Sequence, residues 1–348
     1  MNSTYSDQVS IDIATSAISF EEAAKHAIAA EQARVARGEI TPLTATMFAA
    51  RVQRYLVPFF GERPVQSIRY PELQQLTDWL GNAGLQQATI RQMLVTVRKV
   101  LNWTLIYQHI NGLPAFPKVK QASVPRGGFS VREYLKLWHA ARRLSQEPPP
   151  DRQPTHRDTC GGLFAKGQPL SPDLPWMIGF MVNSFIRPSD LRFIQHQHVQ
   201  VVRGRHIYLR LSLPETKKHS VQIITLRPAV RIYEALLADA KARGCGEPDD
   251  FLFLPQVCNR KTAMVLMDLQ FRKVLEATDL RVGGRGQIRT LYSLRHTAIT
   301  FRLLYGKGID LLTLARNART SVEMIEKFYA SELTAEMNVG MLQSRRTA

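Results

Sequence analysis

The sequence predicts a mainly α-helical protein with a small β-sheet, an α+β chain divided into two domains. Three observations predict it. Apolar residues recur at helical spacing over most of the chain, Ile207 to Leu213 alternates apolar and polar side chains as a half-buried strand does, and a proline- and glycine-rich segment breaks the pattern near residue 120. A length of 348 residues and a hydrophobic content of 45% suffice for two cores.

Taken in order, residues 1–39 read as a polar tail and one Ala/Glu/Arg-rich helix, Glu21 to Arg37, closed by Gly38 as its C-cap. Residues 40–120 read as a helical domain. Phe48, Val52, Tyr55 and Leu56 share one face, Pro71 opens a short helix through Trp79, and Ile90, Met93, Leu94, Val97, Leu101 and Leu105 mark a longer one. Leu113 to Gly128 holds three prolines and paired glycines, which favour extended backbone, and its basic stretch 121–128 reads as the interdomain linker. The second domain, 129–348, opens with a helix from Val131 to Leu144. An irregular insertion follows near 147–175, rich in proline and glycine and expected to be mobile. Leu174 to Ile186 is apolar all round and predicts a buried helix. The strand from Ile207 pairs with a return strand, Val221 to Leu226, through the polar turn Pro214 to Ser220, which places lysines near the tip of a hairpin. From Ala229 helices run to the C-terminus.

Charge narrows the function. Lysine and arginine total 46 against 29 aspartate and glutamate, a formal charge of +17, so the chain should seek a polyanion. Arg51, Arg54, Arg91, Arg98, Lys99, Lys118, Lys120 and Arg126 are dispersed over the first domain and linker, which suits a surface that follows a phosphate backbone. Cys160, Cys245 and Cys258 lie far apart and form no CxxC pair, which predicts a reducing compartment and no zinc site. No basic-then-apolar leader opens the chain and no apolar run spans a bilayer, so the expectation is a cytoplasmic, nucleoid-associated protein without a membrane. His196 and His198 alternate like metal ligands but lack a cysteine or carboxylate cluster, and read as a surface or strand-edge pair. Gly283-Gly284-Arg285-Gly286 lacks the preceding strand of a dinucleotide site and reads as a flexible loop. No cofactor is expected.

Three motifs carry the chemistry. They are Leu291-Tyr292-Ser293-Leu294-Arg295-His296-Thr297, then Thr320-Ser321-Val322-Glu323 leading to Phe328-Tyr329, and upstream Ser184-Phe185-Ile186-Arg187-Pro188-Ser189-Asp190-Leu191. Together they resemble the tyrosine recombinases, or phage-type integrases, over about Thr41 to Ala330 and most strongly from Met177 onward. The resemblance implies a helical core-binding domain plus a mixed catalytic domain that close around duplex DNA. It implies that Tyr329 attacks the scissile phosphate to form a 3′-phosphotyrosine link, that Arg187 and Arg295 clamp the non-bridging oxygens, and that Lys217, with Lys218 beside it as the alternative, protonates the leaving oxygen. Arginine suits the clamp because a guanidinium stays charged and offers a planar fork to phosphate. The sequence departs from the family at Tyr292 and Thr320, where histidine and histidine or tryptophan are usual; both can donate a hydrogen bond, and neither accepts a proton well near neutral pH. His296 is implied to be a buried supporting residue on a different face of its helix from Arg295.

The implied partners are double-stranded DNA, three further copies of the chain in a homotetramer on two DNA sites, and a directionality or DNA-bending accessory protein. The tail from Ser331 to Ala348 is implied to reach a neighbouring protomer, and the role to be integration or excision of a mobile element or prophage. Plainer readings stand beside these. Arg187-Pro188-Ser189-Asp190 is also an ordinary helix start, Thr320 to Glu323 is also a capping box, and Tyr329 is also a ring that could pack in a core. The rival from another class is a catalytically weakened homologue that binds a specific DNA site as an accessory protein. A type IB topoisomerase would share the chemistry without strand exchange.

Overall fold

The computed structural model describes residues 17–120, 127–147, 170–214, 222–306 and 308–329. The chain forms two compact units, Met1–Ser123 and Val124–Ala348.

The first unit is helical: α1 (Phe20–Ala36), α2 (Pro42–Arg51), α3 (Val57–Phe60), α4 (Tyr70–Asn82) and α5 (Gln87–Ile106). Ser19 and Thr41 cap α1 and α2 through their hydroxyls, each satisfying a backbone N–H that the first turn leaves open. Phe20, Val52, Leu56, Leu73, Leu76, Leu80, Val97 and Leu101 fill one core. The helix expected within residues 1–39 is α1; its Phe20, Ala23, Ala24 and Ala27 belong to that core and it packs along α5, while residues 1–16 of the expected tail lie outside the described residues. An alanine-rich face looks weak in sequence, yet it lets two helices approach closely. Between α2 and α3 the helix widens to a π turn over Val52–Leu56, where the Val57 N–H reaches back to the Val52 carbonyl. Pro58 follows directly; its missing N–H and its ring obstruct the regular ladder, and an added residue per turn accommodates both. Phe116 and Val119, before the linker, pack on the same core, and the Arg98 guanidinium lies 4.3 Å from the Phe116 ring centre. Linker residues 121–126 lie outside the described residues.

The second unit is built around α7 (Asp173–Ser184), buried on all sides between α6 (Val131–Leu144), α9 (Pro228–Ala242), α10 (Arg260–Ala277) and α11 (Leu291–Tyr305). The expected insertion therefore ends earlier than 175, since α7 starts at Asp173; residues 148–169 lie outside the described set. The sheet is three-stranded and antiparallel in the order β1 (Val199–Val202), β2 (Tyr208–Leu211), β3 (Ile223–Ile224). Leu211 faces Val199 on one side and Ile223 on the other, so the hairpin pairing expected from the sequence is present with a shorter return strand. Strand β1 was not expected, because four residues are too few to establish an alternation in the sequence. His196 and His198 directly precede β1, as the strand-edge reading expects, and His196 is buried beside the Tyr233 hydroxyl, 3.2 Å from Nδ1, rather than on the surface. Gly283 to Gly286 is a loop closed by hydrogen bonds from the Gly283 N–H to the Gln287 carbonyl and from the Gly286 N–H to the Gly283 carbonyl.

Candidate active site

The site lies within the second unit, where α8 (Pro188–Leu191), α11, α12 (Leu311–Asn317) and α13 (Val322–Tyr329) meet. Each element arrives for a local reason. Phe185 ends α7 in the left-handed conformation, φ 58°, and turns the chain so that Arg187 takes the cap position before Pro188, whose fixed φ suits a first helical residue. Thr290 caps α11, which then presents Ser293 to Ile299 as an almost wholly buried face. Within that face the Thr297 hydroxyl donates to the Ser293 carbonyl and accepts the Phe129 N–H at 2.8 Å, tying the signature helix to the start of the unit. The approach is close at Gly128, where a Cβ would sit 3.3 Å from the Thr297 amide and hydroxyl. The cap of α13 is Ser321, whose Oγ accepts the Met324 N–H at 3.2 Å; Thr320 is not the cap that the sequence suggested, and its N–H closes the preceding turn on Ala315.

Arg295 is the largest fully buried side chain described, 2% exposed. Its guanidinium donates to the carbonyls of Phe185 and Ala318. Arg187 donates to the carbonyl of Arg319 and stands 3.8 Å from Asp190, itself buried. Both arginines are thus held by the turn that leads into α13. Burial, and after it the like charge of Arg187, push the Arg295 pKa below its ordinary value; Tyr292, Tyr329 and Asp190 act the other way. Tyr329, at the end of α13, is 6% exposed. Burial raises its phenol well above the ordinary value of about 10, with the charge of Arg295 opposing and Tyr292 adding to the rise.

Arg295 is therefore within electrostatic reach of Arg187, Tyr292 and Tyr329, and Tyr292 of Tyr329. Tyr292 is half-buried, and the ring of His296 lies 5.3 Å from its ring and 4.8 Å from that of Tyr329. The supporting contact between His296 and Tyr329 escaped sequence reasoning, since it joins two helices far apart in the chain. Thr320 sits half-buried in the turn beside the arginine-holding carbonyls. Lys217 and Lys218 lie outside the described residues. A cavity of about 410 Å³ adjoins Tyr329, walled by His296, Phe301, Tyr305 and Phe328 and by Gly128 to Ser130. Among the described residues no cluster of metal-ligating side chains occurs, and no helix is long and apolar enough to cross a membrane.

No protein-family model matches this sequence, and a search of curated proteins finds no match. Solved structures do match. A lambda integrase tetramer bound to a Holliday junction aligns with a TM-score of 0.62 at 15% identity, over 89% of this chain and 80% of that one. The Tn1549 transposon integrase in complex with transposon right end DNA gives 0.63 at 13% identity, over 94% and 99%. XerH site-specific recombinase bound to its palindromic difH substrate gives 0.56 at 14% identity, over 93% and 84%. The likeness extends over both units at identities too low to speak for more than architecture, and the architecture of this chain is the two-domain tyrosine recombinase fold.

Proposed function

We propose that this chain is a site-specific DNA recombinase that cuts and rejoins DNA through a 3′-phosphotyrosine intermediate. The observation that carries the reading is that two guanidiniums, Arg187 and Arg295, are held by adjacent carbonyls of the turn before α13, with the Tyr329 phenol near enough to Arg295 to feel its charge. Phosphodiester cleavage without metal or nucleotide needs a nucleophile, cations for the charge growing on the non-bridging oxygens, and an acid for the leaving oxygen. In the proposed step the Tyr329 phenol loses its proton to water as its oxygen attacks phosphorus, the phosphorus–O5′ bond breaks, and Lys217 gives a proton to the departing 5′-oxygen. The phosphotyrosine keeps the energy of the broken bond, so a 5′-hydroxyl from another strand reverses the step and frees the tyrosine.

The basic residues of the first unit would supply phosphate contacts that set affinity and its dependence on salt. The neighbours include a tetramer on a Holliday junction and a transposon integrase on transposon end DNA, and these support a tetramer exchanging strands between two sites for integration or excision of a mobile element. Membership of domains 40–120 and 129–348 in core binding and catalysis belongs to the same proposal.

A suicide DNA substrate carrying the cognate site tests it. The expected result is a covalent adduct that survives denaturation and is lost in Tyr329→Phe. A site bound tightly with no adduct would favour the accessory-protein reading, and relaxation of any supercoiled DNA without exchange would favour a topoisomerase.

A further inference from the structure

The turn that joins α12 to α13 contains an arginine with two unusual properties. Arg319 has φ 52°, the left-handed region that an L residue enters only under strain, and its side chain is 1% exposed. A glycine there would avoid both the strain and the desolvation of a charge. The side chain instead extends to Asp190, with Nη1 3.9 Å from Oδ2, and Arg187 approaches that same oxygen to 3.8 Å with its own Nη1. The carbonyl of Arg319 accepts Arg187, and the carbonyl before it, of Ala318, accepts Arg295. Two guanidiniums thus meet at one buried carboxylate, and the successive carbonyls that receive Arg187 and Arg295 lie at and just before the residue that supplies the second of them.

We propose that Arg319 is a positioning residue of the phosphate clamp: by bracing Asp190 against Arg187 and fixing the 318–319 carbonyls, it sets the spacing at which Arg187 and Arg295 meet a phosphate. The inference rests on the proposed function and adds to it a residue outside the motif positions. It explains why strain and a buried charge persist together in this turn. The arrangement concentrates positive charge in a place of low dielectric, where an incoming phosphodiester meets donors already oriented.

The test uses the full chain and two readouts, stabilisation against heat by inorganic phosphate and adduct formation on the suicide DNA substrate. Four proteins are compared: wild type, Arg319→Gly, Arg319→Lys and Arg187→Ala. Glycine suits the turn, so Arg319→Gly removes the side chain while leaving the backbone at ease. It should weaken phosphate binding and slow adduct formation about tenfold, the loss expected of a residue that acts through the group it orients. Arg319→Lys, which keeps the charge beside Asp190, should recover most of both. Arg319→Gln, which keeps bulk without charge, should show the same tenfold loss and replaces the glycine variant if that one does not fold. Wild-type behaviour in Arg319→Gly, with phosphate response lost in Arg187→Ala, overturns the role of Arg319 and leaves the clamp standing. A lysine variant no better than glycine overturns it too. A wild-type protein that neither responds to phosphate nor forms an adduct overturns the functional reading and this inference with it.

Discussion

Two buried arginines of the second unit, Arg260 and Arg295, are held in different ways. Arg260 donates to the carbonyls of Arg192 at 2.7 Å, Leu254 at 3.0 Å, Val257 at 2.9 Å and Phe253 at 2.8 Å, and lies over the Phe251 ring at 4.0 Å. Burial lowers its pKa to about 10, which leaves it charged at neutral pH. Its donors are spent on the backbone that surrounds it, so it fixes the approach from β-bridge Gln195–Phe251 into α10. Arg295 is more deeply buried, donates to two carbonyls, and shares its surroundings with the like charge of Arg187. An arginine answered on every side belongs to the scaffold; arginines crowded together store unfavourable charge that an anion relieves.

Three predictions bear on that contrast. The largest effect is chemical: Arg295→Ala or Arg187→Ala should slow adduct formation by about 10² or more, the usual cost of removing one charge-stabilising donor, with only a modest loss of DNA affinity. Rates equal to wild type in a gel assay of cleavage would move the clamp elsewhere. Next comes pH. Because burial holds the Tyr329 phenol above its ordinary value, its ionised fraction grows about tenfold per pH unit across the neutral and mildly alkaline range. Single-turnover cleavage should rise with pH accordingly, and a flat profile between about pH 7 and 9 would show that phenol ionisation does not limit the step.

The smallest effect belongs to a scaffold arginine. Arg289, buried, donates from Nη2 to both carboxylate oxygens of Glu133 at 2.9 and 3.0 Å, and Glu133 also receives the Ser130 N–H as the far half of a capping box. Burial works to raise the Glu133 carboxyl, but the Ser130 N–H and Arg289 outweigh it and hold it below the ordinary carboxylate range. A depressed carboxylate stabilises the fold above its unfolded pKa and loses that contribution as pH falls through the folded one. Glu133→Gln should therefore cost about 1 kcal/mol near neutral pH, a figure kept low because the carboxylate is a third exposed, and the difference from wild type should vanish in acid. Urea unfolding at neutral and acid pH reads both; a loss that persists in acid would locate the effect in packing.

Much of this molecule was legible as periodicity. The face Ile90–Leu105 became α5, and the all-apolar run Leu174–Ile186 became the central α7, because long regular patterns have one comfortable conformation. The site was legible only as resemblance, since nothing local in Arg187 or Tyr329 distinguishes a clamp from a helix start or a nucleophile from a core ring. What stayed hidden depends on tertiary contact. Strand β1 is only four residues long, too short to establish an alternation, and α1 joins the first core largely through alanines that carry little pattern. Arg319 reads as one more basic loop residue, and its burial follows from Asp190, far upstream in the chain. The His296–Tyr329 contact is likewise a meeting of two helices.

One small feature governs how this sheet can meet other molecules. On its outer side Ile224 of β3 gives its N–H to the Asn317 side-chain oxygen at 2.8 Å, and its carbonyl takes the Asn317 amide at 2.9 Å. A single carboxamide thus imitates the neighbouring strand that β3 lacks. An extended segment from elsewhere finds that border already occupied and cannot lengthen the sheet there, so edge-to-edge aggregation is discouraged without a charge or a proline being spent on the task.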